Sequence, residues 1–265
     1  MDQSEPSESG PDRAWDKTES LFGFFDELLD LPGFPDYAPA LNGLQVEGTR
    51  PVRHLAVAVD ASQETIAAAV ALDADALLVH HGLFWSGTAP LTGRLMRRVR
   101  PLIQAGVHLY SAHLPLDAHP EVGNAAVLTR TLGLEPTHPF GRYEDRHIGW
   151  ALDADLPLAA LSDRLVDALG GPVQVIAAGP SQVRRLAVVT GGGASFLGQA
   201  ADAGIDTLVT GEASHQHYVD ARELGINLVL GGHYRTETWG VRALAERAAA
   251  RFGLAWSFID RPSGL

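Results

Sequence analysis

Apolar residues in this chain cluster in short runs of four or five, each followed by a stretch in which apolar and polar positions alternate with helical spacing. Leu55–Val59 leads into a helical stretch over Ser62–Leu72 and then a second run over Ala76–Val79; Leu186–Thr190 leads into Ser195–Ala203 and then Thr207–Thr210. Short β-prone runs separated by a helical period predict strand, helix, strand, the crossover unit of a parallel sheet. Ser62 and Ser195 stand where an N-cap belongs.

The two stretches are copies of one another. Arg53-His-Leu-Ala-Val aligns with Arg184-Arg-Leu-Ala-Val, and the register holds without gaps through Ala69/Ala200, Asp75/Asp206 and Leu77/Leu208. With one extra residue in the second copy, Gly106-Val-His-Leu-Tyr then pairs with Gly225-Ile-Asn-Leu-Val, a third strand after a helix. Outside the repeat, Leu21–Leu31 reads as a docked amphipathic helix and His147–Leu152 as a strand before a Leu158–Leu169 helix. A Val173–Ala177 strand, a Thr236–Phe252 helix and an Ala255–Ile259 strand complete the pattern. The expected fold is α/β, two similar α/β domains related by an internal repeat with a site in the cleft between them. A disordered acidic tail is expected over 1–20, a first domain over 21–135 and a second over 136–265.

Composition narrows the function. With 265 residues and 46% hydrophobic content the chain can bury a large core. It has no stretch suited to a membrane span and no basic-then-apolar leader, so a cytoplasmic protein is expected. Cysteine is absent, which excludes disulfides, thiolate nucleophiles and Cys-ligated metals. Lys17 is the single lysine and sits in the polar tail, so neither a Walker-type phosphate lysine nor a Schiff-base lysine is available in the fold. A net charge of −12 opposes binding to nucleic-acid phosphates or anionic lipid.

Candidate chemistry lies at the ends of the predicted strands. His80 and His81 follow the Ala76–Val79 run, Asp117 follows the third strand of the first copy, and His233 with Glu237 follows the third strand of the second. His113 with Asp117 and His233 with Glu237 share the i, i+4 spacing, so both copies deliver His-x-x-x-carboxylate from equivalent places, while His80-His81 corresponds to Gly211-Glu212. Imidazoles and carboxylates are ligands for Zn, Fe or Mn, and five exceed what one three-ligand catalytic zinc needs, which points to two metals. Each residue also has a plainer reading: tandem histidines as a packed pair, Asp117 as the cap of a helix starting near Val122, His233/Glu237 as solvent neighbours. Adjacent strand residues face opposite ways, so His80 and His81 meet one cleft only if the chain turns at Gly82. His113 and Glu212 are candidates for supporting or proton-moving roles, and His215, His119 and His217 are weaker. His54, His108, His138 and His147 read as structural. Gly191-Gly192-Gly193 fits either anion binding at a helix start or a tight turn, and Asn42-Gly43 reads as a turn entering a strand.

Six ordered motifs carry a family resemblance: Asn42-Gly-Leu-Gln-Val-Glu-Gly, Val79-His-His-Gly-Leu-Phe-Trp, His113-Leu-Pro-Leu-Asp-Ala-His, Thr190-Gly-Gly-Gly, Thr210-Gly-Glu and Gly232-His-Tyr-Arg-Thr-Glu. From about Leu21 to Ile259 the chain resembles the NGG-one interacting factor three-like family, whose bacterial members carry the name GTP cyclohydrolase 1 type 2 homologue. The resemblance implies a dinuclear site of His80, His81, Asp117, His233 and Glu237 between two similar α/β domains, in a ring-shaped homohexamer. Two divalent ions (Fe, Zn or Mn) sharing a water would make a hydrolase of a small molecule, with Glu212 or His113 moving protons and Arg235 or the glycine turn meeting substrate anions. The alternative is a non-catalytic metal-binding or assembly protein.

Overall fold

Each apolar run becomes a strand, and a computed structural model describes residues 11–85, 87 and 89–264 of the chain. The first half runs α1 (Pro11–Leu28), β1 (Gly43–Val46), β2 (His54–Asp60), α2 (Gln63–Ala71), β3 (Ala76–His81), α3 (Gly93–Ala105), β4 (His108–Ser111), α4 (Leu114–Asp117) and α5 (Asn124–Thr131). The second runs β5 (His138–Tyr143), β6 (Arg146–Pro157), α6 (Leu158–Leu169), β7 (Gln174–Ile176), β8 (Gln182–Val188), α7 (Leu197–Asp202), β9 (Thr207–Thr210), α8 (His215–Leu224), β10 (Asn227–Leu230), α9 (His233–Thr236), α10 (Thr238–Phe252) and β11 (Ala255–Phe258).

The repeat is visible in the sheets. One has the order β1-β4-β3-β2-β11 and the other β5-β6-β8-β9-β10-β7. In both, three parallel strands (β2-β3-β4 and β8-β9-β10) are flanked by an antiparallel strand on the third, β1 on β4 and β7 on β10. The aligned aspartates do the same work. Asp75 Oδ2 accepts from the amides of Arg53 and His54, and Asp206 Oδ2 from those of Arg184 and Arg185.

Both faces of each sheet are covered, so the strands are apolar throughout and their side chains sort by parity. Leu55, Val57, Leu78 and Tyr110 enter one core while Ala56, Ala58, Leu77, Val79 and Leu109 enter the other. The second sheet repeats this, with Ala187, Leu208 and Leu228 on one side and Leu186, Val188, Val209 and Val229 on the other.

Where the helices after the third strands pack differs from a simple division at 135. Leu128 of α5 joins the core of the second sheet with Val209 and Val229, whereas Val241, Leu244, Ala245 and Ala248 of α10 join the core of the first sheet with Val57 and Leu78. β11 pairs in parallel with β2. The expectation of a contiguous second domain over 136–265 is therefore corrected: α10 and β11 complete the first sheet's layer, and α5 completes the second's. Each half lends a helix to the other, and the two cross closely. A Cβ on Gly240 of α10 would stand 3.0 Å from Asn124 Oδ1 and Leu116 Cγ.

The tail expectation needs a second correction. Residues 1–10 lie outside the described residues, but α1 begins at Pro11, ten residues before the apolar stripe. Leu21, Phe22, Phe25 and Leu29 anchor the helix in the first core, and Thr18 Oγ1 accepts from the Val52 amide at 2.8 Å. Propagating a helix from an anchored turn costs far less than starting one, so the polar residues follow. Among the described residues no helix is long and apolar enough to cross a membrane.

Candidate metal centre

Helix exchange places Asp117, which ends α4 just before α5, and Glu237, just before α10, at the crossing of the halves. Both carboxylates are buried, as is His80 at the end of β3. β3 continues through His81, and the turn at Gly82 follows; the two rings lie 4.7 Å apart between centroids with 48° between their planes. Both do reach one cleft. The turn is held by Gln45, whose Oε1 accepts from the Leu83 amide at 2.7 Å and whose side chain fills the space a Cβ on Gly82 would need.

The histidines share one orientation. His80 Nδ1 lies 2.8 Å from the Ala112 carbonyl, His81 Nδ1 2.9 Å from Asp60 Oδ1, His113 Nδ1 2.9 Å from Asp36 Oδ1 and His233 Nδ1 3.0 Å from Glu212 Oε1. Each of these partners is an oxygen acceptor, so each Nδ1 carries the hydrogen and each Nε2 is left to face inward. Two sets of donor atoms then lie within 4.8 Å of one another, His80/His81/His113 and His81/His233/Glu237, sharing His81. Asp117 is outside both sets but adjacent, with Oδ2 3.5 Å from His80 Nε2. Glu237 Oε1 is 3.1 Å from His233 Nε2 and 3.7 Å from His80 Nε2, and Oε2 is 3.4 Å from His81 Nε2.

Buried charge here has no fixed counterion: Asp117 and Glu237 form ion pairs with histidine alone among the described residues. Burying a carboxylate costs several kcal/mol unless a cation and hydrogen bonds offset it. With no metal, protons must supply that cation. Burial pulls the His80 pKa down, but Asp117 and Glu237 outweigh it and hold it well above the ordinary value. The hydrogen bond to Glu237, against the opposing pull of burial, pushes His233 up to about 9. Burial pushes Glu237 up, yet His80, His233 and His81 together hold it far below the ordinary carboxylate range. Even so, His80 Nε2 and Glu237 Oε2 are buried with no hydrogen-bond partner among the described residues. Native structures rarely leave such atoms unsatisfied, and both belong to the donor set of a divalent cation. The residues present fit a metal.

The surroundings fix this geometry. Asp117 Oδ1 accepts from Asn124 Nδ2 at 2.8 Å and from Thr190 Oγ1 at 3.3 Å, while Asn124 Oδ1 accepts from the Gly240 amide at 2.6 Å. Asp36 accepts from His113, Asn42 Nδ2 and the Leu114 amide, and against the upward push of burial its pKa is lowered by His113, Asn42 and the Tyr37 amide. Asn42 Oδ1 in turn accepts from the His113 amide. The motif that reads as a turn, Asn42-Gly-Leu-Gln, thus supplies two of the centre's supports. Asp36, Asp60 and Asn124 were missed; Asn42 and Gln45 carried a signal in their fixed order within one motif.

Other expectations change. Ser62 caps α2 by accepting from the Thr65 amide, but Ser195 lies inside a single 3₁₀ turn, Gly193–Phe196, and caps nothing. Gly191 has φ +60°, and a Cβ there would overlap Glu237 Oε1, while Gly193 abuts Val189 and Thr210; close approach explains the glycines, and the short helix that follows offers no anion site. Arg235 donates to the Pro172 carbonyl, away from the donors. His215 opens α8 on the surface, outside the cluster. His119 Nδ1 accepts from the Glu121 and Val122 amides, His217 completes the cap of α8, His54 Nε2 meets Ser257, and His108 bridges Gly48 and Arg50: structural roles, as expected for His54 and His108.

Comparison with known proteins agrees with the motifs. A protein of Deinococcus radiodurans named GTP cyclohydrolase 1 type 2 homolog is 44% identical over 93% of this chain and 94% of its own. A Halobacterium salinarum protein of the same name is 48% identical over 87% and 93%. A solved structure from Thermus thermophilus superposes with a TM-score of 0.85 at 41% identity, over 93% of this chain and 99% of that one. The model of the Duf34/NIF3 (NGG1p interacting factor 3) family matches residues 17–263, and the chain belongs to that family.

Proposed function

We propose that His80, His81, Asp117, His233 and Glu237 hold two divalent ions, of iron, zinc or manganese, and that the protein is a metal-dependent hydrolase of a small molecule. The observation that carries this reading is the convergence of three Nε2 atoms, of His80, His81 and His233, each fixed by an acceptor behind Nδ1, on two buried carboxylates with no arginine or lysine partner among the described residues. A pair of ions rather than one is supported by two overlapping donor sets that share His81, one completed by His233 and Glu237 and the other by His80 and His113, with Asp117 Oδ2 3.5 Å from His80 Nε2 beside the second. When bound, such a pair supplies Lewis acidity and a water acidic enough to attack near neutral pH.

The chain's own groups divide the remaining work. Ala112, Asp60 and Glu212 hold the rings of His80, His81 and His233 by their Nδ1 hydrogens, which makes Glu212 a positioning residue. His113 is not needed to balance the carboxylates. Its Nε2 faces the centre while Asp36 keeps the hydrogen on Nδ1, an arrangement suited to accepting or returning a proton at Nε2. Trp85, 4.9 Å from the His113 ring and 5.7 Å from that of His81, shields these imidazoles from solvent. Family names containing GTP cyclohydrolase favour opening of a purine ring among the hydrolytic reactions such a centre supports, with phosphoester or amide cleavage as the others. The motif resemblance also supports a ring-shaped homohexamer, which light scattering on the purified chain would test.

Turnover by metal-loaded protein against nucleotides, phosphoesters and peptides tests the reading. Activity should appear for one class and vanish in Asp117→Ala. Tight metal binding with no turnover across the panel would replace it by a non-catalytic metal-binding role.

A further inference from the structure

Beside the centre lies a cavity of about 540 Å³ whose wall includes His81 itself. Its wall also carries two cations with no role in the centre. Arg98 of α3 and Arg261, beyond β11, both line it, together with Trp85, Tyr234 and the start of α2 at Ser62, Gln63 and Glu64. Arg98 Nε is buried and has no hydrogen-bond partner among the described residues. A guanidinium nitrogen withdrawn from water without an acceptor costs stability, so an anion entering the cavity would find in Arg98 a donor to satisfy. The Arg261 guanidinium donates only to the neighbouring Asp260 carbonyl among the described residues, which leaves most of its fork unused.

The local acids offset this only in part. Asp60 and Glu64 also line the cavity and Asp60 acts on Arg98, but one Asp60 oxygen is taken by the Nδ1 hydrogen of His81, and Glu64 lies on the exposed face of α2. The first intrahelical bond of α2 runs from the Ile66 amide to the Ser62 carbonyl, and the Ser62 hydroxyl takes the Thr65 amide, so the Gln63 and Glu64 amides at the positive end of the helix remain for a ligand. Tyr234 is not a donor here. Its hydroxyl donates to Asp260 Oδ1 and accepts from the Arg261 amide, holding the segment that carries Arg261 against the cavity.

We propose that this cavity is the oxyanion subsite of the hydrolase read above, and that it takes a phosphate group of the substrate between Arg98, Arg261 and the first turn of α2. Two guanidiniums and a helix terminus suit a dianion better than a monoanion, which favours phosphate over carboxylate. Because His81 is shared, a molecule anchored here presents its adjoining atoms to the centre, and because Trp85 is shared, a flat ring next to the phosphate has an aromatic wall beside it.

The inference rests on the hydrolase reading for its purpose but not for its test, which uses full-length protein stripped of metal by a chelator. Phenyl phosphate and benzoate are titrated by calorimetry or ligand-observed NMR, with ³¹P for the phosphate. The expected result is metal-independent binding of phenyl phosphate, stronger than that of benzoate, weakened about tenfold in Arg98→Gln and in Arg261→Gln, and partly kept in Arg98→Lys. An unchanged Kd in both glutamine variants, binding that appears only after metal is restored, or tighter binding of benzoate overturns it. Should Arg98→Gln not fold, the exposed Arg261→Gln decides alone. Failure of turnover leaves this Kd untouched, so the two readings fail separately.

Discussion

Gly191→Ala tests the geometry of the centre with a single methyl group. Gly191 sits at φ +60°, and the added Cβ would overlap Glu237 Oε1 and stand 3.2 Å from His233 Nε2. Two costs combine. An L-residue in the left-handed region loses about 1–2 kcal/mol. Displacing Glu237 breaks its pairing with His80, His81 and His233, and breaking a buried pair costs about 3–5 kcal/mol, toward the lower end here because His233 is 29% exposed on its side chain. Gly253→Ala is the matched control: it has φ +69° and nothing within 4 Å of the new Cβ among the described residues, so it carries the backbone cost alone. Urea denaturation in chelator should therefore show Gly191→Ala less stable than Gly253→Ala by about 3 kcal/mol. Metal content should fall in the first and stay at the parent level in the second. Equal losses in stability together with parental metal content in both would refute the argument that Glu237 is locked against this turn.

Three further outcomes follow from the same structure. Asn124→Ala removes the shorter of two hydrogen bonds to Asp117 Oδ1 and orphans the Gly240 amide at the helix crossing, and thermal or urea unfolding should show a loss of about 2–3 kcal/mol with weaker metal retention; an unchanged midpoint would count against the bridge. In chelator, the raised pKa of His233 contributes stability that is complete below its ordinary 6.5 and lost as pH rises through about 9, while the depressed Glu237 contributes stability present above its ordinary 4.5 and lost as pH falls toward its lowered value. Melting temperature of the metal-free protein should thus peak between these values and decline on the alkaline side, a decline that bound metal removes; a flat alkaline limb in chelator would contradict the charge assignment. Deleting residues 254–265 removes β11 and exposes the buried edge of β2, so the truncated chain should aggregate or lose cooperative unfolding, whereas a stable, folded product would contradict the pairing of the C-terminal strand with the first sheet.

Much of this was legible in the residues because the repeat is local. Ala76–Val79, Thr207–Thr210 and Leu158–Leu169 fold as their periodicity reads, since burial on both faces or on one stripe leaves its own spacing. The clustering of His80, His81, Asp117, His233 and Glu237 followed from equivalent strand ends in two copies. What escaped is what depends on contacts distant in sequence. Nothing within Thr238–Phe252 says which sheet it covers; Leu244 and Ala248 would suit either, and the choice is made by docking of β11 on β2 and by the α5–α10 crossing at Gly240. Arg98 stands among Arg94, Arg97 and Arg100 with nothing in the sequence to set it apart, whereas Arg235 stands two residues from a candidate ligand in sequence. Asp36 lies in a loop with no periodic pattern at all, and only the fold brings it under His113.

The central claim is that the crossing of the two halves grips a pair of divalent cations, and elemental analysis of the purified protein with anomalous scattering from its crystals tests it most directly. The account predicts two ions per chain, located among His80, His81, Asp117, His233 and Glu237 and lost in Glu237→Ala. No metal after growth and purification in metal-replete conditions, or an ion bound elsewhere with these side chains unliganded, would contradict it.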